Sequence, residues 1–470
     1  MLAAHLTELL DTTPAGVSET LDIVAGFDDA LAHGLARPDA TRAAALEGLA
    51  GALAGTPLGA AVGEAVEALS SGSLADGHLA ALAGARTALL GAVHDALVDS
   101  LDAARGVTRD TWSASAQAPS PAEPADDKGA AGSRAWLGEL AVTGWLGVDR
   151  DLASGANQTI EALLADPAQR RLAVLLDGLT AELQALCPAA AVEQVPVRRW
   201  ADLWARAVLL SHDSRRYGPC QAATEVSGRL LPLGVDVHEH GTAVQAQVHC
   251  VFEPADGGPP RLLCASLTAA KVDAIVGPAV WRLLADHPVL LGALAERRSL
   301  TITDMPLLAG GDLLWHDDRA GAGEEVDPFA TARLHLADAV APAVAPLDRH
   351  PVRIAEPVFI EGYTTDATSG LTVDLGGATL PVDLDRLPAC GPLTPKLVAD
   401  STACIGLLRW DAGQWSLQPL AVRTKVKRKP ATVQTGDWAL GPTDPKVAKV
   451  EERNNAVAVL RERAGRLLRG

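Results

Sequence analysis

From Leu233 to Ser266 the chain reads LGVDVHEHGTAVQAQVHCVFEPADGGPPRLLCAS, and its alternation of apolar and polar residues commits it to β-structure after a long alanine-rich helical stretch. A turn at His240-Gly241 predicts that Val237 pairs with Val244 and Val235 with Ala246. These apolar residues then share the core face, and Asp236, His238, Gln245 and Gln247 share the other. A second turn centred on Gly257 sets Phe252 opposite Leu262, Cys250 opposite Cys264 and Glu253 opposite Arg261.

The segment before this meander is helical by periodicity. Ser18 is positioned to cap a helix whose inward face is Leu21, Ile23, Val24, Phe27 and Leu31. Leu82, Leu89, Leu90, Val93, Leu97 and Leu101 form a later stripe, with Arg86, Asp95 and Asp99 expected to point away. These stripes look internally complete, which predicts that the first segment folds by itself. All ten tryptophans lie beyond Thr111, so the remainder is built differently.

Ser113–Ser133 is rich in Pro, Ala, Ser and charge without apolar periodicity, and reads as a disordered linker. In VRRWADLWARAVLLS, Trp200, Leu203, Trp204, Ala207, Val208 and Leu210 form one helical face, expected to pack on the meander. Arg198, Arg199, Asp202 and Arg206 form the opposite face. A helix-like run, SLTAAKVDAIVGPAVWRLLADHP, and a short strand, SLTITDM, come next. HDDRAGAGEEVDP (His316–Pro328) lacks EF-hand spacing and reads as a solvated acidic loop. Hairpins follow at Gly376-Gly377, pairing Leu375 with Ala378 and Val373 with Leu380, and at Asp411-Ala412-Gly413, bringing Trp410 to Trp415.

The expected class is α+β and multidomain. It comprises an N-terminal helical bundle (1–112), the linker (113–133), a second helical part (134–212), a C-terminal antiparallel β-rich domain (213–442) and a basic terminal helix (443–470).

A net charge of −18 argues against nucleic-acid or anionic-membrane binding, because phosphate affinity needs clustered cations. The start has no basic n-region or long apolar core, and the alanine-rich stretch Ala43–Leu69 is broken by Glu47, Pro57, Glu64 and Glu67. No signal peptide or membrane span is therefore expected, and a cytoplasmic protein is. The six cysteines form no CxxC, as for reduced thiols. Positive charge gathers at the end. From Ala421 onward twelve Lys/Arg face five Asp/Glu. KVKRKP supplies Lys425, Lys427, Arg428 and Lys429, and the terminal helix adds Arg461, Arg463, Arg466 and Arg469, so these are the candidate contacts to an acidic protein partner.

For chemistry, the sharpest local candidate is a metal site, because His238, His240, His249, Cys250 and Cys264 crowd into one stretch; His238, Cys250 and Cys264 are its candidate ligands. The expected register puts His249 on the face opposite Cys250, which favours a packed, reduced Cys250–Cys264 pair instead. The chain contains no GxSxG elbow, HExxH, Walker A or GxGxxG motif to name a catalytic residue or a cofactor.

GARTALLGAVHDAL, RRWADLWARAVLL and GPLTPKLVADSTACIGLLRWDAGQWSLQPLAV followed by GDWALGPTDPKVAKV resemble stretches of uncharacterised actinobacterial proteins. Those proteins are associated with gene clusters holding a MoxR-type AAA+ ATPase, a von Willebrand A domain protein and a SWIM zinc-finger protein. The resemblance implies a non-enzymatic adaptor, an accessory factor or substrate of the AAA+ ATPase, with that ATPase or the SWIM-type protein as partner. It brings no catalytic or cofactor residues, and the SWIM CxC…CxH pattern is absent from this chain. The alternative from the residues is a metal-dependent or thiol-based hydrolase with its site in the β-rich domain.

Overall fold

The computed structural model describes residues 3–112, 128–166, 169–212, 224–368 and 370–453. Ten described α-helices precede the first strand: α1 (Ala3–Asp11), α2 (Val17–His33), α3 (Ala40–Leu53), α4 (Gly59–Ser70), α5 (Asp76–Arg105), α6 (Lys128–Thr143), α7 (Arg150–Ser154), α8 (Asn157–Leu164), α9 (Arg170–Ala185) and α10 (Val197–His212). Ser18 does not cap α2. The helix begins one residue earlier, after Gly16, whose φ of 81° lets the chain turn in without a side-chain cap. Asp39 does cap α3, accepting the Arg42 N–H at 2.9 Å.

The helices on either side of the linker share one core. Val24, Phe27, Leu31, Leu82, Leu89 and Leu90 are buried together with Trp136, Leu137, Leu140, Leu176, Trp200 and Trp204. The Leu35 N–H donates to the Ala141 carbonyl at 2.8 Å, so backbone too is joined across the linker. Gly34, with φ of 93°, ends α2 at this junction, where a Cβ would lie 2.6 Å from the Val142 carbonyl oxygen. The first segment is therefore not complete in itself, because its apolar stripes meet partners from beyond residue 128. Helix α6 also takes in the last residues assigned to the linker, and Ser133 is fully buried. By length and composition α5 alone among the described helices could cross a bilayer, yet 61% of that window is buried inside the protein.

Two expected polar faces turn inward. Arg86 is 1% exposed, bound to Asp28 of α2 through Nε–Oδ1 at 2.6 Å and Nη2–Oδ2 at 2.9 Å. Arg206, at 4% exposed, lies against Asp202 and Asp348. Trp200 and Trp204 pack on helices rather than on the meander, edge-on to Trp145 at 6.4 Å and tilted against Phe27 at 6.5 Å.

The first sheet contains β1 (Thr224–Glu239), β2 (Ala243–Pro254), β3 (Arg261–Ala270), β4 (Arg298–Leu307), β5 (Asp312–Leu313) and β6 (Ala320–Glu325). Because β1 pairs with both β2 and β4, the ladder closes a ring through β1, β2, β3, β5 and β4, and β6 adds to the outer edge of β4. The acidic loop is thus in part an edge strand. The helix-like run from Ser266 also resolves differently: Thr268–Ala270 continue the ladder against Ala243–Gln245, and a 3₁₀ turn (Gly277–Leu284) and α11 (Pro288–Glu296) follow. Cross-strand pairing overrides the helix propensity of the alanines there.

Next come α12 (Pro328–His335) and β7 (Glu356–Glu361), then a three-stranded sheet of β8 (Thr364–Asp366), β9 (Thr372–Asp374) and β10 (Thr379–Pro381). After α13 (Pro395–Ala399), strands β11 (Ala403–Asp411), β12 (Gln414–Val426) and β13 (Lys429–Gln434) complete a four-stranded sheet in the order β13-β12-β11-β7. Both expected hairpins form: Val373 pairs with Leu380, and Trp410 with Trp415, their rings edge-on at 5.2 Å. Helix α1 and the end of α5 bury Leu6, Leu9, Val93, Leu97 and Leu101 on this second sheet, so the chain's beginning and its C-terminal sheet share a core. Helix α14 (Pro445–Arg453) follows, which gives the α+β order expected, helices first, then antiparallel sheets, then a terminal helix.

Candidate functional site: a polar cleft between the bundle and the two sheets

The register of the meander decides which side chains meet. Between β1 and β2, Val237 pairs with Ala246 and Val235 with Val248. That is two residues from the expected pairing, so the faces are unchanged. Between β2 and β3 the difference is one residue: Phe252 pairs with Arg261, Cys250 with Leu263 and His249 with Cys264. The turn explains it. Gly257, at φ of 79°, donates its N–H to the Pro254 carbonyl, and Asp256 accepts the Gly258 N–H at 2.9 Å, so the loop is centred on the Asp256-Gly257 pair and not on Gly257 alone. A one-residue slip exchanges faces.

Cys250 therefore lies in the apolar core of the first sheet, and Cys264 turns to the polar face beside His249. The expected packed cysteine pair does not form. Nor do His238, Cys250 and Cys264 converge, because Cys250 is on the far side of the sheet. Among the described residues no group of three or more His, Cys, Asp or Glu side chains is placed to hold a metal ion. Burial pushes the Cys250 thiol up to about 12 and the Cys264 thiol well above its usual value, with Asp312 adding to the latter, so both are held as thiols.

The polar face of β1–β3 is one wall of an open cleft of about 1170 Å³. α5 and α10 form a second wall, and residues 341–357 with β11 form a third. Asp236 joins the first sheet to the second. Arg409 donates to it at 2.6 Å and Gln418 at 2.8 Å, and His238 Nε2 lies 2.8 Å from Oδ2. Burial alone would raise its pKa, but His238, Arg409 and Gln418 together draw the carboxyl far below the usual carboxylate range. On the helical wall Asp202 meets Arg206 at 3.2 Å, and Asp348 meets Arg171 at 2.8 Å. Arg109 joins Asp102 and Glu356 at 2.9 Å each, and Arg349 joins Asp95 at 2.8 Å.

Two histidines in the cleft are held neutral. His350 accepts the Val352 N–H on Nδ1, and burial brings its pKa down to about 3 against the pull of Asp202. Burial lowers His249 to about 4, and its Nε2 is buried without a hydrogen-bond partner among the described residues. Sequence reading singled out His238, His249 and Cys264 but missed His350, Arg353, Asp312 and Arg409. The first three sit in turns or a two-residue strand, and Arg409 lies in a strand whose partner sheet is distant in sequence, so no periodic pattern marks them.

The basic candidates separate into two groups. Lys425, Lys427, Arg428 and Lys429 occupy the tip of the β12–β13 hairpin and are all exposed. Lys427 and Arg428 form its two-residue turn at φ of 51° and 67°. Arg461, Arg463, Arg466 and Arg469 lie outside the described residues. Compared with protein-family models, curated proteins and solved structures, the chain matches none.

Proposed function

We propose that the protein is a non-enzymatic interaction protein, an accessory factor that docks an acidic partner on the basic β12–β13 tip. The observation that carries this reading is the turn itself. Hairpins of this length favour Asn-Gly or Asp-Gly, because both central residues need positive φ. Here Lys427 and Arg428 occupy those positions, at a cost of about 1–2 kcal/mol each relative to ordinary backbone. Strained backbone of this kind clusters where function requires a particular side chain. The tip has four cations and a 39% exposed Val426, none of the four in an ion pair with a described residue, on a chain of net charge −18.

The sequence resemblance makes a MoxR-type AAA+ ATPase the first partner to test. Binding of the full-length chain to that ATPase from the same genome is measured beside a variant carrying Lys427→Glu and Arg428→Glu. The reading expects the variant to bind at least about tenfold more weakly, and the wild-type complex to weaken as salt rises from about 50 to 300 mM. Equal binding by the two proteins, or binding indifferent to salt, overturns docking through this tip. The hydrolase alternative fares worse on geometry, since its candidate ligands face opposite sides of a sheet and its thiols are held protonated.

A further inference from the structure

Seven arginines line the cleft, and six have a carboxylate within ion-pair distance: Arg109, Arg198, Arg199, Arg349, Arg386 and Arg409. Arg353 has neither an ion pair nor a side-chain hydrogen bond to any described residue. It ends a 3₁₀ turn, Pro351–Arg353, that packs between α5 and β11, and the Arg353 N–H donates to the His350 carbonyl at 2.9 Å. Its side chain is exposed on the wall of the cleft. Burial, and then Arg206, press against its charge. The carboxylates nearest it are shared with other arginines, Asp202 with Arg206 and Asp348 with Arg171, and Asp312 attracts it without forming an ion pair.

A surface arginine without a partner is ordinary. One that lines a polar cleft close to like charges is a cost that a bound anion would offset. A second group points the same way: His249, half-buried in the same cleft, has a buried Nε2 with no hydrogen-bond partner among the described residues. Asp312, also unpaired, faces the same space from β5 and limits how much negative charge the cleft accepts.

We propose that the cleft is a binding site for a small oxyanion-bearing molecule, a carboxylate or phosphate anchored by Arg353, whose remaining polar groups reach His249. The planar fork of a guanidinium matches the paired oxygens of such groups. The cleft's volume slightly exceeds the roughly 300–1,000 Å³ of typical small-ligand sites, which leaves room for a body beyond the anionic head. This site is independent of the hairpin tip and stands if docking at that tip fails.

Titration calorimetry of the full-length chain with inorganic phosphate and with acetate tests it and separates the two head groups. At least one is expected to bind the wild type at up to about 10 mM, and Arg353→Met to bind it at least about tenfold more weakly. Arg428→Glu, on the hairpin tip, is expected to bind as wild type does. Asp312→Asn is expected to bind as tightly or more tightly. Because Arg353 makes no ion pair or side-chain hydrogen bond with a described residue, the Met variant should melt no lower than wild type, so loss of binding would not be loss of fold. The proposal is overturned if neither anion binds the wild type, if Arg353→Met binds undiminished, or if Asp312→Asn binds more weakly.

Discussion

Removing Asp28 isolates a guanidinium in the middle of the bundle, and the adjacent Asp29 provides a comparison on the same helix. Arg86 donates two charge-assisted hydrogen bonds to Asp28 and a third, at 3.2 Å, to the Arg198 carbonyl, with Asp202 3.7 Å away. It therefore joins α2, α5 and α10 at one point. Breaking a buried pair from one side costs about 3–5 kcal/mol, because the remaining charge stays desolvated. The Arg198 carbonyl and Asp202 remain to solvate Arg86 in part, which places Asp28→Ala near the lower end, about 3 kcal/mol, out of a total stability on the order of 5–15 kcal/mol. Asp29 is exposed and pairs with Arg42 at 3.0 Å, so Asp29→Ala should cost under about 1 kcal/mol. Both charges of this pair lose their hydration on burial, and apolar residues of similar volume often replace a buried ion pair without loss of stability. An apolar pair, Asp28→Leu with Arg86→Met, should accordingly recover most of the loss. Urea unfolding followed by circular dichroism gives all four midpoints. The reasoning fails if Asp28→Ala is no worse than Asp29→Ala, or if the double variant is no more stable than Asp28→Ala.

Further outcomes follow from individual groups. His249 and His350 are neutral when folded, at about 4 and 3, but titrate near 6.5 when unfolded; below pH 6.5 the unfolded chain takes up more protons, so stability is lost as the pH is lowered from 6.5 towards 4. His249→Gln should make the fall between pH 7 and 5 shallower, and an unchanged slope in urea midpoint against pH would refute that. Iodoacetamide at pH 8 should modify Cys264 more than about tenfold more slowly than a free cysteine, as read by peptide mass spectrometry, because the thiol stays protonated; rapid labelling would show an ionised sulfur. Arg428→Gly should stabilise the hairpin by about 0.5–1 kcal/mol by relieving positive φ, and a lower melting temperature would contradict the turn's geometry.

The parts legible in sequence were those written in local period. The alternation along β1 and β2 gave the correct faces despite a register two residues off, since an even shift preserves sidedness. The Gly376-Gly377 and Asp411–Gly413 turns fixed their hairpins because turn chemistry is local. Turn centring was not legible between β2 and β3, where the Asp256 side chain and the Pro254 carbonyl set the loop, and one residue there decided whether Cys264 met Cys250 or the cleft. The charged faces misled for another reason. Periodicity reports that Arg86 and Arg206 lie away from their own helix's apolar stripe, but not whether water or a carboxylate lies beyond. In a chain with few aromatics and many alanines, helices approach closely enough that even a polar face can be covered by a neighbour. Its arginines then need partners from distant segments: Asp28 for Arg86, Asp348 for Arg206, Asp236 for Arg409. Arg353 stands out only once those pairings are known, because an unpaired guanidinium is recognised by the partners its neighbours have and it lacks, and that comparison exists in three dimensions alone.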